Sequence, residues 1–222
     1  MKKHILCFGD SNTYGLCADP TDCADSQFAR FNENERWTCL LQKELGDDYL
    51  IIEEGLSGRT TVFDDPVEEG LCGLDYLIPC IKTHAPIHLL VIMLGTNDTK
   101  ERFSANAYTI AKGMARLLKT AADAPFWAEG KPNILVICPP PIGEGLLTSA
   151  VAEEMGTGSI QKSRELAVHY KTLCESLNIP LLDAGASGIT FNEVDFMHLT
   201  RDSHKAMAHL LSNIIPKYVS SI

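Results

Sequence analysis

The feature that most constrains the fold of this chain is an alternation of two hydrophobic periods. Short apolar runs at His4–Phe8, Tyr49–Ile52, His88–Leu94, Asn133–Cys138 and Ile179–Leu182 have the length of buried strands. Between and after them, apolar residues recur every three or four positions. One set is Trp37, Leu40, Leu41 and Leu45, the next Leu71, Leu74, Ile78 and Ile81, and the third Ala107, Ala111, Met114 and Leu118. Leu166, Tyr170, Leu173 and Leu177 follow, and Ala206, Leu210, Ile214 and Tyr218 close the series. That spacing places each set on one face of a helix. Strands alternating with helices mean parallel pairing, with crossover helices covering both faces of the sheet. Right-handed crossovers then leave a three-layer α/β/α sandwich around a five-stranded parallel sheet, of the flavodoxin-like kind. We take the strand order as 2-1-3-4-5. No repeat, low-complexity tract or linker divides the 222 residues, so the chain reads as a single domain, 1–222.

An open sheet of this type presents its chemistry outside the carboxyl ends of its strands. Four polar stretches fall there or pack toward that edge. Gly9-Asp10-Ser11-Asn12-Thr13 follows the first strand, and Glu53-Glu54-Gly55-Leu56-Ser57-Gly58-Arg59 the second. Gly95-Thr96-Asn97-Asp98 follows the third, and Asp195-Phe196-Met197-His198 precedes the last helix. Each has an unremarkable reading by itself. Ser11 and Asn97 are common turn and cap residues, Gly58 suits a turn with positive φ, Asp195 suits a cap and His198 a core position. Together they supply what acyl transfer needs. A serine hydroxyl is a weak nucleophile until a base takes its proton, and His198 is the candidate base. Asp195, three residues earlier, can orient the imidazole and stabilise its charge. The backbone N–H groups of Ser11 and Gly58 and the amide of Asn97 are candidate oxyanion donors. Two irregular segments, Leu16 to Glu35 and Pro139 to Ser159, emerge on the same side and are candidate pocket walls.

Other function classes fit less well. A net charge of −10, from 19 Lys and Arg against 29 Asp and Glu, argues against a nucleic-acid partner. No apolar stretch approaches membrane-spanning length, and the apolar run after Met1-Lys2-Lys3 is too short for an export signal. The eight cysteines show no C-x-x-C pair, and we read them as reduced thiols of a cytoplasmic protein. No G-x-S-x-G elbow, P-loop or G-x-G-x-x-G string is present. A flavodoxin-like binding module, with Ser11 to Gly15 cradling a phosphate, is the rival from another class. It leaves Asn97 and the Asp195–His198 stretch unexplained.

Those four stretches, in this order from residue 9 to residue 198, resemble the four blocks of the SGNH hydrolase superfamily, also called GDSL esterases and lipases. Gly9-Asp10-Ser11, Glu53-Glu54-Gly55-Leu56-Ser57 with Arg59-Thr60-Thr61, and Gly95-Thr96-Asn97-Asp98-Thr99-Lys100 look like its small arylesterase group, some members of which transfer acyl groups in water. The resemblance implies Ser11 as nucleophile, His198 as base, Asp195 as its orienter, and Ser11, Gly58 and Asn97 as the oxyanion hole. It implies the SGNH hydrolase fold, no cofactor and no metal. The substrate would be a small acyl ester, short-chain or aryl, with deacetylation of carbohydrates as the alternative. Members of the group form dimers and larger rings, so a homo-oligomer is compatible, although no apolar stripe marks an interface. Asn12 departs from the leucine of the GDSL string. Tyr14 and Leu16 stand where an acyl-transferring member has tryptophans.

Overall fold

The computed structural model describes residues 1–24 and 26–219. Five strands, β1 (Lys3–Gly9), β2 (Tyr49–Gly55), β3 (Leu89–Met93), β4 (Ile134–Cys138) and β5 (Leu181–Asp183), form one sheet in the order β2-β1-β3-β4-β5. All four pairings are parallel. The helices are α1 (Ser11–Tyr14), α2 (Trp37–Leu45), α3 (Gly73–His84), α4 (Ala107–Ala122), α5 (Ala152–Met155), α6 (Ser159–Leu177) and α7 (Arg201–Val219).

The strands are apolar at nearly every position because both faces are covered. Leu6, Phe8, Leu90, Ile92 and Val136 face a core shared with α3, α4 and α6. Their alternate neighbours Ile5, Cys7, Leu89, Val91 and Leu135 face the layer of α2 and α7. The architecture is the α/β/α sandwich expected from the sequence, with the expected strand order. Register sets the functional edge: Gly9 pairs with Gly55 on one side and with Met93 on the other. The chain therefore leaves β1, β2 and β3 at one level, which brings Ser11, Gly58 and Asn97 within reach of a common point.

Three expectations need correction. The buried face of α7 is Met207, Ala208, Leu211 and Ile215, one residue away from the stripe Ala206, Leu210, Ile214 and Tyr218. Both sets have helical spacing, and packing against α2 and β1 selects the first. On α3 the fully buried residues are Leu77, Cys80 and Ile81, with Leu74 and Ile78 only partly covered. The third concerns the cysteines. Cys17 and Cys23 form a disulfide, because the 16–35 segment doubles back and brings their Cα atoms to 6.3 Å. Cys7, Cys39, Cys72, Cys80, Cys138 and Cys174 are free, all but Cys39 buried.

The two irregular segments are ordered by local contacts. Asp22 accepts the Arg201 N–H at 2.7 Å, tying the first segment to the start of α7. The second contains α5 and, with Ile160 of α6, builds a small core of Ile142, Leu146, Met155 and Ile160. Among the described residues, no helix is long and apolar enough to cross a membrane.

Candidate active site

The first strand ends at Gly9, where a Cβ would stand 2.1 Å from Thr13 Oγ1. Only glycine lets the chain turn this tightly into α1. Asp10 caps that turn, its Oδ1 accepting the Asn12 N–H at 3.0 Å. Burial outweighs this hydrogen bond and the charges of His198 and Arg59, and pushes the Asp10 carboxyl up to about 6. Ser11 follows at the start of α1, buried but for 6 % of its surface. Its Oγ lies 2.7 Å from His198 Nε2.

His198 is held by a turn of which only Asp195 and His198 themselves are recognisable in the sequence. Its Nδ1 lies 2.5 Å from Asp195 Oδ2. Asp195 Oδ1 accepts the N–H groups of Met197 and His198, both at 3.1 Å, and the Asn192 amide at 3.0 Å. Burial alone would raise the Asp195 carboxyl. The His198 hydrogen bond and charge, with the two backbone donors, reverse that and hold it at about 2. Asp195 thus stays an anion next to the imidazole. Phe196, between them, takes φ of +62°, a left-handed conformation that costs a non-glycine residue and is sustained here by the surrounding bonds. Asn192 is one of those bonds. Its Oδ1 accepts the Val194 and Asp195 N–H groups, and its amide also reaches the His198 carbonyl at 2.9 Å. A lone Asn six residues ahead of a histidine carries no signal by itself, so only the folded turn reveals it.

Asn12 also escaped a sequence-level role. Its Oδ1 accepts the Leu199 N–H at 2.9 Å, and its Nδ2 donates to the Met197 carbonyl at 3.2 Å. The residue that departs from the GDSL string therefore pins the backbone on both sides of His198 to the turn that carries Ser11. Trp37 Nε1 donates to the Asn12 carbonyl at 3.0 Å and fixes that turn against α2.

Gly58 and Asn97, expected to supply oxyanion donors, border the same cleft as Ser11. Gly58 has φ of +82°, and a Cβ there would approach Leu71 Cδ1 to 2.8 Å. Asn97 Nδ2 gives one hydrogen to the Arg59 carbonyl at 3.1 Å, which leaves its second hydrogen for the cleft. Arg59 Nη1 donates to the Gly9 carbonyl at 2.9 Å and to that of Glu54, tying the ends of β1 and β2 together. Asp98 accepts the Thr61 N–H and hydroxyl, which anchors the chain after Gly58 to the chain after β3. Burial raises the Asp98 carboxyl to about 6 against those bonds.

Ser11, Gly58, Asn97, Asp195 and His198 all border one cleft of ≈ 280 Å³. Leu16 walls it from the first irregular segment, and Val151, Glu154 and Met155 from the second. Lys100 lies at its side with Nζ 2.7 Å from Glu154 Oε1. A larger cleft of ≈ 570 Å³ opens beside β4, among Leu118, Ile134 and Pro180, remote from these groups. Chemically, the small cleft offers an oxygen nucleophile in contact with a base and an anion behind the base, with Gly58 and Asn97 on the wall beside them.

Comparison with known proteins shows the family. The model of the GDSL-like lipase/acylhydrolase family matches residues 7–206. An aryl esterase of M. smegmatis is 37% identical, with a TM-score of 0.87 over 97% of this chain and 99% of that one. Est24, a carbohydrate acetylesterase from Sinorhizobium meliloti, is 35% identical, with a TM-score of 0.86 over 97% and 99% of the two chains. No curated protein matches the sequence.

Proposed function

The chain belongs to the GDSL-like lipase/acylhydrolase family and is a carboxylic ester hydrolase, and on that premise we propose a serine mechanism acting on small acyl esters. The observation that carries the proposal is the unbroken hydrogen-bonded chain from Ser11 Oγ through His198 to Asp195 at the mouth of the cleft.

Ser11 Oγ attacks the ester carbonyl as His198 Nε2 takes its proton. Asp195 stabilises the imidazolium without accepting the proton, as its low pKa requires. The carbonyl oxygen, now an anion, is met by the N–H groups of Ser11 and Gly58 and by Asn97 Nδ2. His198 returns the proton to the leaving alcohol, which departs and leaves an acyl group on Ser11. Water then attacks with His198 as base, and the acid leaves. No step calls for a cofactor.

The volume of the cleft favours short acyl groups. Its charged rim of Lys100, Glu154 and Glu68 gives specific support to a second reading, a hydroxyl-rich alcohol such as a sugar, as for the Sinorhizobium acetylesterase. Transfer to an alcohol in place of water depends on how well the walls exclude water. Leu16 is such a wall, and hydrolysis is the reaction we assign. A cytoplasmic location, which the six free thiols favour and the Cys17–Cys23 disulfide opposes, and assembly into a homo-oligomer belong to the same proposal. A series of p-nitrophenyl esters of rising acyl length, run beside acetylated monosaccharides, tests the substrate reading. We expect kcat/KM to peak at acetyl or propionyl. A maximum at long acyl chains would overturn it.

A further inference from the structure

A second cluster of reactive side chains lies behind the Gly58 turn and plays no part in the chemistry above. Ser57 and Gly58 face the catalytic cleft, whereas Leu56 and Arg59 of the same turn line another cleft, of ≈ 510 Å³. Glu54, from the edge strand β2, borders this cleft and meets Cys80 and His84, which lie behind it, four residues apart on one face of α3. One ligating atom from each of the three lies within 4.8 Å of the others, and His84 Nε2 is 2.7 Å from Glu54 Oε1. Around a tetrahedral zinc ion, N, O and S atoms at their usual bond lengths stand roughly 3.3–3.8 Å apart. The three groups need to move by about an ångström or less to reach that arrangement.

The approach to this cluster has the same character. Asp64, Cys72 and Asp75 border the outer part of the cleft and bring their own ligating atoms within 4.8 Å of one another. Two carboxylates and the Cys72 thiol thus line the cleft that Glu54 also borders. Cys80 and His84 supply the soft and intermediate donors that discriminate against magnesium and calcium.

We propose that Glu54, Cys80 and His84 form a binding site for a thiophilic divalent cation of the zinc type, with water completing the coordination. On binding, the Cys80 thiol proton passes to solvent as the metal–sulfur bond forms. The proton that His84 Nε2 now directs at Glu54 moves through solvent to Nδ1, which frees the Nε2 lone pair for the metal, and Glu54 exchanges its bond from His84 for one to the metal. No electron is transferred. Arg59 sets the limit on affinity. Its guanidinium interacts electrostatically with both Cys80 and Glu54, so the two ligand anions, which could neutralise the ion alone, leave a net positive charge with this cation beside them. The site is accordingly weaker than a four-ligand structural zinc site, and it joins the edge strand to α3. This inference does not depend on the esterase mechanism.

The test is a cobalt titration of the full chain after treatment with chelator, read by the thiolate-to-cobalt charge-transfer absorption, with zinc as competitor. We expect one equivalent of cobalt to produce the band and one of zinc to abolish it. Cys80→Ser should remove the band. His84→Gln and Glu54→Gln should each weaken binding roughly tenfold or more, while Cys39→Ser leaves it unchanged. Ester hydrolysis by each variant serves as the check of folding. If Cys80→Ser does not fold, loss of affinity in His84→Gln carries the same information. No band in the parent protein, a band that survives Cys80→Ser, or one lost instead in Cys72→Ser would overturn the assignment.

Discussion

Asn12 offers a perturbation whose consequences can be worked out bond by bond. Its side chain is buried, with 2 % exposure, and reaches the Leu199 N–H and the Met197 carbonyl. In Asn12→Ala the buried Leu199 N–H loses its partner, which costs about 1–3 kcal/mol. The Met197 carbonyl is partly exposed and can find water, so its loss is nearer the ~1 kcal/mol of an ordinary hydrogen bond. The sum is about 2–4 kcal/mol. For a chain of this size each kcal/mol lowers Tm by roughly 2–4 °C, so thermal unfolding should move down by about 4–16 °C. Activity should respond separately. The two bonds flank His198, and a displacement of ~1 Å at a reacting group can cost on the order of 100-fold. Asn12 does not border the cleft, so the loss belongs in kcat, with KM near the parent value. Asn12→Leu fills the space without pairing, and it should recover part of the Tm but not the kcat. Circular dichroism melts and p-nitrophenyl acetate kinetics read both quantities. Parent-like Tm and kcat in Asn12→Ala would refute the claim that this side chain holds the His198 segment.

Other outcomes follow from the same geometry. Asn97→Ala should lower kcat by about 100-fold or more through the lost oxyanion donor, measured on the same ester. Asp195→Asn should cost on the order of 10⁴-fold by misdirecting the imidazole, with the fold retained by circular dichroism. His204 accepts the Trp37 N–H at 3.2 Å, and burial, with the charges of His198 and Arg36, pushes its imidazole down to about 3. The unfolded chain therefore takes up this proton first. The stabilisation is present above about pH 6.5 and is lost as pH falls toward 3, at up to ~1.4 kcal/mol per pH unit. Asp10 and Asp98, raised to about 6, titrate nearby with opposite sign, so the comparison must be with His204→Asn. The stability advantage of the parent over that variant should shrink on acidification in urea melts, and parallel pH curves would contradict it.

How much of this was legible in the sequence varied with the range of the interaction. Strand runs, helix periods and the four polar blocks are local patterns, and a doubly wound topology allows few orders, so the sheet and the meeting of Ser11, Gly58, Asn97, Asp195 and His198 could be anticipated. The exposed and buried faces of α7 could not. Ala206 and Met207 begin equally regular stripes, and only the position of α2 decides between them. Asn12 and Asn192 are commonplace turn residues until their partners are placed, one of them 187 positions away. The Cys17–Cys23 bond depends on the path of an irregular segment that no periodicity describes. Likewise Glu54 and His84 are separated by 30 positions, and a search for ligand spacing along the chain passes over them.

The proposed mechanism passes through a covalent acyl intermediate on Ser11. It is tested most directly by hydrolysis of p-nitrophenyl acetate by the parent protein and by Ser11→Ala, with intact-mass measurement of rapidly quenched samples. The parent should turn over and carry an acetyl adduct on Ser11, and a folded Ser11→Ala should show neither adduct nor activity above background. Undiminished turnover by that variant would contradict it.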